Sequence, residues 1–272
     1  MTRPLVFGVL NVTPDSFSDG GRHTDPSAAI AHGRTLVADG ADWVDVGGES
    51  TAPGRAPVAP EEERHRILEV IAGLADAGIP VSVDTYHAST AEAAVAAGAT
   101  LVNDVYGTDP DMPAVLAATG VRYVAMHAFG APTTPHDYTD VVTEVRDGLL
   151  ARVAELEAAG IAAARVVLDP GIGFSKEPEE NWALLRGLPD LVATGLPILV
   201  GTSRKRFIRR IAGDEIPDRD LATAVTSVLA AEAGAWAVRV HDVRGTRMAL
   251  DIAEAWAGTY AGSADRHEGP GR

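Results

Sequence analysis

Eight short apolar runs alternating with helical segments over about 260 residues predict an α/β fold of the (β/α)8 TIM-barrel class. Three observations carry this. The runs number eight: Leu5–Leu10, Trp43–Gly47, Pro80–Asp84, Thr100–Asp104, Arg122–His127, Arg165–Asp169, Pro197–Gly201 and Trp236–Val240. The alternation is uninterrupted. Most runs are Val-rich and apolar at successive positions, as strands covered on both faces are. A doubly wound open sheet is the alternative, and the count favours the barrel.

The helical segments lie between the runs. Ala28–Asp39 stops at Gly40, Ser89–Ala97 at Gly98 and Thr143–Ala159 at Gly160, each glycine a stop signal. Pro60–Asp76 opens with Glu61, Glu62 and Glu63, which suit the positive end of a helix dipole. Pro178–Arg186, Leu221–Ala233 and Thr246–Ala257 follow. No compositional break marks a linker. Residues 1–257 are therefore expected to form one barrel domain, and the Gly-, Ser- and charge-rich residues 258–272 a disordered tail.

Composition narrows the function classes. Of 272 residues, 46% are hydrophobic and 22% charged, the balance of an ordinary globular protein. The net charge of −15 speaks against wrapping nucleic acid, which takes clustered Lys and Arg. With no cysteine, disulfides and thiolate metal sites are excluded. No apolar run approaches the roughly 20 residues of a membrane span. Leu5–Leu10 is too short for the core of a secretory signal. A cytoplasmic protein with no membrane or nucleic-acid partner is expected.

In a barrel, reactive groups gather where the strands end. Every run here ends in polar residues: Asn11 to Gly21 after the first, Gly47 to Arg55 after the second, then Asp84, Asn103-Asp104, Met126-His127, Asp169 to Phe174, Gly201 to Arg206, and Arg239 with His241. One such carboxylate is as often a turn cap as a ligand; eight polar ends together point to a site. Asp84, Asn103 and Asp169 suit a flat heterocycle, because a carboxylate accepts two N–H bonds from an aminopyrimidine edge and an amide both donates and accepts. Lys205, Arg239 and His241 form a cationic set that, with Asn11, suits a phosphate or diphosphate. His127 reads as structural, since no metal-binding histidine pairing accompanies it. Asn11 and a diphosphate could share a Mg²⁺.

These segments resemble the dihydropteroate synthase family. Gly8 to Gly21 is similar to its first signature and Asp45 to Thr51 to its second. Ser82–Thr85, Val102–Asp104, Leu168–Phe174, Ser203–Lys205 and Arg239–Val243 match further blocks in the same order. The resemblance spans Gly8 to Trp256 and implies condensation of a dihydropterin-methyl diphosphate with p-aminobenzoate on a barrel that pairs as a homodimer. It implies pterin binding by Asp84, Asn103, Met126, Asp169, Phe174, Gly201 and Lys205. Asn11, Arg239 and His241 match the diphosphate positions, with Asn11 also a Mg²⁺ ligand. Phe17, Thr51, Pro53, Ser203 and Arg206 match the p-aminobenzoate positions. Asp19, Asp84 and Lys205 are the expected catalytic residues, the carboxylates steadying a transient pterin-methyl cation while closed loops exclude water.

Two departures stand out. The family usually has Arg after Ser-Thr in the second block, where this chain has Ala52; Arg55, three residues on, is the candidate substitute. The segment Ala128 to Ala131 also lacks the expected basic or amide residue. A pterin-dependent methyltransferase domain would share the Asp, Asn, Asp set but would not need the Thr13–Gly21 loop or the Ser203–Lys205 segment. A pterin-binding paralogue without turnover would keep the matched positions.

Overall fold

A computed structural model describes residues 3–13, 25–49, 57–129, 134 and 136–260. Phe17, Asp19, Thr51, Ala52, Pro53 and Arg55 lie outside the described residues, as do residues 261–272 of the expected tail.

Eight parallel strands follow one another in sequence: β1 (Leu5–Asn11), β2 (Trp43–Gly47), β3 (Val81–Asp84), β4 (Leu101–Asp104), β5 (Arg122–Met126), β6 (Val166–Asp169), β7 (Leu199–Val200) and β8 (Ala237–Val240). Neighbours in sequence pair in space from β1 to β6, β8 pairs with both β1 and β7, and a parallel bridge between Leu168 and Ile198 joins β6 to β7. That bridge brings the two sheet edges together and nearly closes the barrel. It is short because Pro197 has no N–H to give; its carbonyl instead accepts from Leu168 N at 2.8 Å. The regular part of β7 is accordingly narrower than the Pro197–Gly201 run.

Side-chain parity sorts the core into two clusters. Phe7, Leu101, Val124, Val167, Leu199 and Ala237 pack together inside the barrel, with Leu5, Trp43 and Trp236 against them. Trp43 stacks on Phe7 at 5.3 Å between ring centroids and closes the floor. The opposite parity, including Val6, Leu10, Val44, Val46, Val81, Val83, Tyr123 and Leu168, packs outward onto the helices. Successive apolar residues in the sequence thus serve two separate cores.

The outer layer holds α1 (Pro26–Ala38), α2 (Pro60–Asp76), α3 (Ala88–Ala96), α4 (Met112–Thr119), α5 (Val141–Ala158), α6 (Pro178–Arg186), α7 (Leu188–Val192), α8 (Arg206–Ala212), α9 (Ile216–Glu232) and α10 (Val243–Trp256). Asp25, Asp140 and Asp242 cap α1, α5 and α10 through their carboxylates. α1 and α2 approach closely through two glycines: a methyl on Gly33 would stand 2.7 Å from Leu74, and one on Gly73 would stand 2.5 Å from Ile30. α4 has no counterpart among the helices expected from sequence. Its eight residues show little apolar periodicity, although Gly120 ends it with φ 72° in the left-handed region.

Candidate active site

One cavity of about 340 Å³ opens at the C-terminal ends of the strands. Asn11, Asp84, Asn103, Met126, Asp169, Phe174, Gly201, Ser203, Lys205, Arg206, Arg239 and His241 all line it. Every expected site residue within the described segments is therefore brought to one place. Strand parity explains this. Asp84, Asn103, Asp169 and Arg239 lie two positions beyond inward-facing residues of their strands, or share their parity, and so point into the mouth.

Arg239 forms the centre. Its Nε donates to Asp45 Oδ2 at 2.5 Å and its Nη2 to Asp84 Oδ2 at 2.5 Å. Asn103 Nδ2 donates to the same Asp45 oxygen at 3.1 Å. Held between two carboxylates, the guanidinium stays charged. Burial pushes the Asp84 carboxyl up to about 7; Arg239 pulls it down, and Asp45 pushes it further up. Burial likewise raises Asp169, against Lys205 and the Gly171 N–H. That N–H donates to Asp169 Oδ1 at 2.7 Å, while Lys205 Nζ donates to the carbonyl of Ile172. Burial pushes the Lys205 ammonium down to about 8. Lys205 Nζ also stands 4.9 Å from the centroid of the Phe174 ring, making one cationic wall over an aromatic one.

His241 differs from its expected place in a cationic set. Burial first, then Arg239 and Arg204, push its imidazole down to about 3, so the ring is neutral at physiological pH. Its Nδ1 is 2.9 Å from Ser203 Oγ. His127 is buried and is pushed down to about 4, by burial and then Lys176.

Three residues of this region were not singled out from sequence. Lys176 is buried, and its Nζ donates to the carbonyls of Phe174 at 3.1 Å, Gly171 at 3.2 Å and His127 at 3.4 Å. Burial pushes it down to about 7. Asn181 accepts from Gly173 N at 2.5 Å and donates to the carbonyls of Lys176 and Glu177. Together they shape the segment after β6. Gly171 there has φ 66°, and a side chain would collide with the His127 carbonyl. Asp45 was read only as part of a signature; its parity with Gly47 is the signal that places it inside the barrel.

Among the described residues no group of three or more His, Asp or Glu stands ready to hold a metal. Asn11 offers a carboxamide oxygen to the cavity. That donor set does not suit a resident ion, but it fits a Mg²⁺ brought by a diphosphate, whose oxygens and waters would supply the remaining ligands.

The geometry agrees with the relatives of the chain. The family model described as pterin binding enzyme matches residues 7–241. A dihydropteroate synthase of Mycobacterium leprae is 52% identical over 92% of this chain and 93% of its own. One of Bacillus subtilis is 41% identical over 89% and 85%. Among solved structures, the Xanthomonas albilineans dihydropteroate synthase with 4-aminobenzoic acid superposes with a TM-score of 0.88, at 45% identity over 96% of this chain and 94% of that one. The same enzyme with 7,8-dihydropteroate superposes with a TM-score of 0.85, at 43% identity over 96% and 95%. The chain belongs to the pterin-binding enzyme family, as a member of its dihydropteroate synthase group.

Proposed function

We propose that this protein condenses 6-hydroxymethyl-7,8-dihydropterin diphosphate with p-aminobenzoate, giving 7,8-dihydropteroate and diphosphate. The observation that carries the reading is the single cavity that joins an acidic, amide-lined interior to a rim of Lys205, Arg206, Ser203 and His241.

In this reading Asp84, Asn103 and Asp169 take the aminopyrimidine edge of the pterin. Two N–H donors restore the charge on carboxylates that burial otherwise raises, so the correct ring stabilises the site and a ring without them leaves buried acceptors unpaired. Met126, Phe174 and Gly201 give the flat ring its slot, and Lys205 answers a ring acceptor. Arg239, His241 and Asn11 face the diphosphate. A bound Mg²⁺ would neutralise charge on the departing diphosphate.

The carbon–oxygen bond to diphosphate breaks with its electron pair leaving on oxygen. The arylamine lone pair then forms the carbon–nitrogen bond, and the ammonium proton passes to water. Arg206, at the start of α8, and the backbone N–H of Ser203 just before it hold the p-aminobenzoate carboxylate. No covalent enzyme intermediate is needed. Catalysis rests on neutralising the leaving group and fixing the amine. On the family resemblance Asp19 is assigned a catalytic role, and Phe17, Thr51 and Pro53 are assigned to p-aminobenzoate.

Homodimerisation belongs to the same reading. Leu221, Val225 and Leu229 form an exposed stripe on α9, and Met248, Ile252 and Trp256 one on the adjoining α10. Trp256 is 93% exposed, far beyond what a lone surface aromatic needs. A second copy of the chain is the occupant proposed for this face. A cytoplasmic location is also proposed; no helix among the described residues is long and apolar enough to cross a membrane.

The test is diphosphate release from the pterin substrate with Mg²⁺, with and without p-aminobenzoate. Release together with dihydropteroate is the expected result. Pterin binding without release would leave a non-catalytic barrel.

A further inference from the structure

We infer that Ser203 is a positioning residue for His241: its hydroxyl donates to Nδ1 and so keeps the imidazole proton on Nε2. His241 then offers the cavity a neutral hydrogen-bond donor.

The argument is a count of protons. Ser203 Oγ accepts the backbone N–H of His241 at 3.1 Å and stands 2.9 Å from His241 Nδ1. A hydroxyl has one proton and two acceptor sites. If Nδ1 carried the ring proton, Oγ would accept twice, and its own proton would need another acceptor. Among the described residues Ser203 has no other side-chain partner, and it is buried. No acceptor for that proton stands among the described residues. If the hydroxyl donates to Nδ1, both its proton and the ring's acceptor are matched. The proton then sits on Nε2, for which the described residues provide no partner, on a ring that lines the cavity.

An imidazolium would void the count, but the surroundings oppose one. Burial, Arg239 on β8 and Arg204 and Lys205 before α8 all disfavour a charged ring, with Asp220 on α9 opposing them. Ser203 itself is fixed from α9. Thr202 Oγ1 lies 2.8 Å from Thr226 Oγ1, Arg204 N donates to Thr223 Oγ1 at 3.3 Å, and Arg204 Nε donates to Asp220 at 2.7 Å. Arg204 takes φ 58°, which turns the chain so that its neighbour Ser203 meets the end of β8.

The chemical consequence deepens the proposed reaction and rests on it only for what Nε2–H meets. A neutral imidazole N–H hydrogen-bonds to a diphosphate oxygen without giving up its proton. His241 therefore strengthens its hold as charge grows on the leaving group, and does not act as the acid that protonates it.

The experiment reads the imidazole nitrogens of the free protein by long-range ¹H–¹⁵N correlation, His241 being assigned by its loss in His241→Gln. The wild type is expected to show the Nε2–H pattern, and Ser203→Ala a shift toward the Nδ1–H tautomer. KM for the pterin diphosphate should rise about fivefold in Ser203→Ala. His241→Gln, whose amide nitrogen stands near the place of Nε2, should retain affinity that His241→Asn loses. An Nδ1–H pattern in the wild type, or an unchanged pattern in Ser203→Ala, overturns the inference. If Ser203→Ala does not fold, the wild-type spectrum and the Gln–Asn pair decide. The spectrum needs no turnover, so a failure to make dihydropteroate would sink the proposed function and leave the tautomer result standing.

Discussion

The barrel interior has two halves built from the same strands. At the N-terminal end the inward positions are Phe7, Trp43, Leu101, Val124, Val167 and Leu199, packed with no charge among them. Two residues further along, at the same parity, the inward positions are Asp45, Asp84, Asn103, Asp169 and Arg239. The floor is stabilised by burial of apolar area. The mouth is paid for by it: Asp45 is fully buried, and its Oδ1 and the Oγ of Ser82 have no hydrogen-bond partner among the described residues. The contrast teaches that a parallel strand can carry stability at one end and unfavourable electrostatics at the other, separated by a single pleat.

That division is testable, beginning with its largest consequence. Arg239→Met leaves Asp45 and Asp84 side by side without their cation. Stability should fall by about 3–5 kcal/mol in urea unfolding, and dihydropteroate formation by about 10³-fold. Activity within tenfold of wild type would remove Arg239 from the chemistry. Phe7→Ala cuts the floor instead, and should cost about 3–4 kcal/mol while both KM values stay unchanged in the folded fraction. A floor substitution that altered pterin KM would show that the two halves are coupled.

Asp169→Asn should do the reverse. The carboxamide oxygen can still accept from Gly171, so stability should change by under about 1 kcal/mol. The pterin edge loses its charged acceptor, and pterin KM should rise about 100-fold. Loss of folding without a KM effect would make Asp169 structural.

The smallest expected effect is a pH dependence beside the mouth. In the unfolded chain a histidine takes up its proton as pH falls through its ordinary value of 6.5, whereas buried His127 stays neutral down to about 4. The unfolded state therefore binds the extra proton in that window, and stability falls as pH drops. His127→Gln removes this contribution. The urea midpoints of wild type and variant at pH 7.5 and 5 should differ in their pH response by about 1–2 kcal/mol. Parallel responses would mean that His127 is protonated in the folded protein.

Much of this arrangement was legible in the chain. Val-rich runs at eight places gave the strands, because burial on both faces leaves no polar alternation to obscure them. The polar residues at their ends gave the mouth, because strands running the same way gather those ends together. α4 escaped for lack of periodicity. Lys176 escaped because its partners are backbone carbonyls, which leave no mark in the residue types. The second-signature departure at Ala52 and the candidate Arg55 fall outside the described residues, so the kinetics of Arg55→Ala remain their test.

By itself, then, the sequence determined the strand order, the two-sided burial and the kinds of side chain set at each strand end. Local pattern is enough for these, since parity and polarity repeat within a few residues. Only the tertiary structure decided that Arg239 pairs with Asp45, 194 positions away, as well as with Asp84. It also decided that His241 is neutral and that Lys176 is held among carbonyls. Charge states and pairings depend on distance and on exclusion of water, and both are set only when the barrel closes.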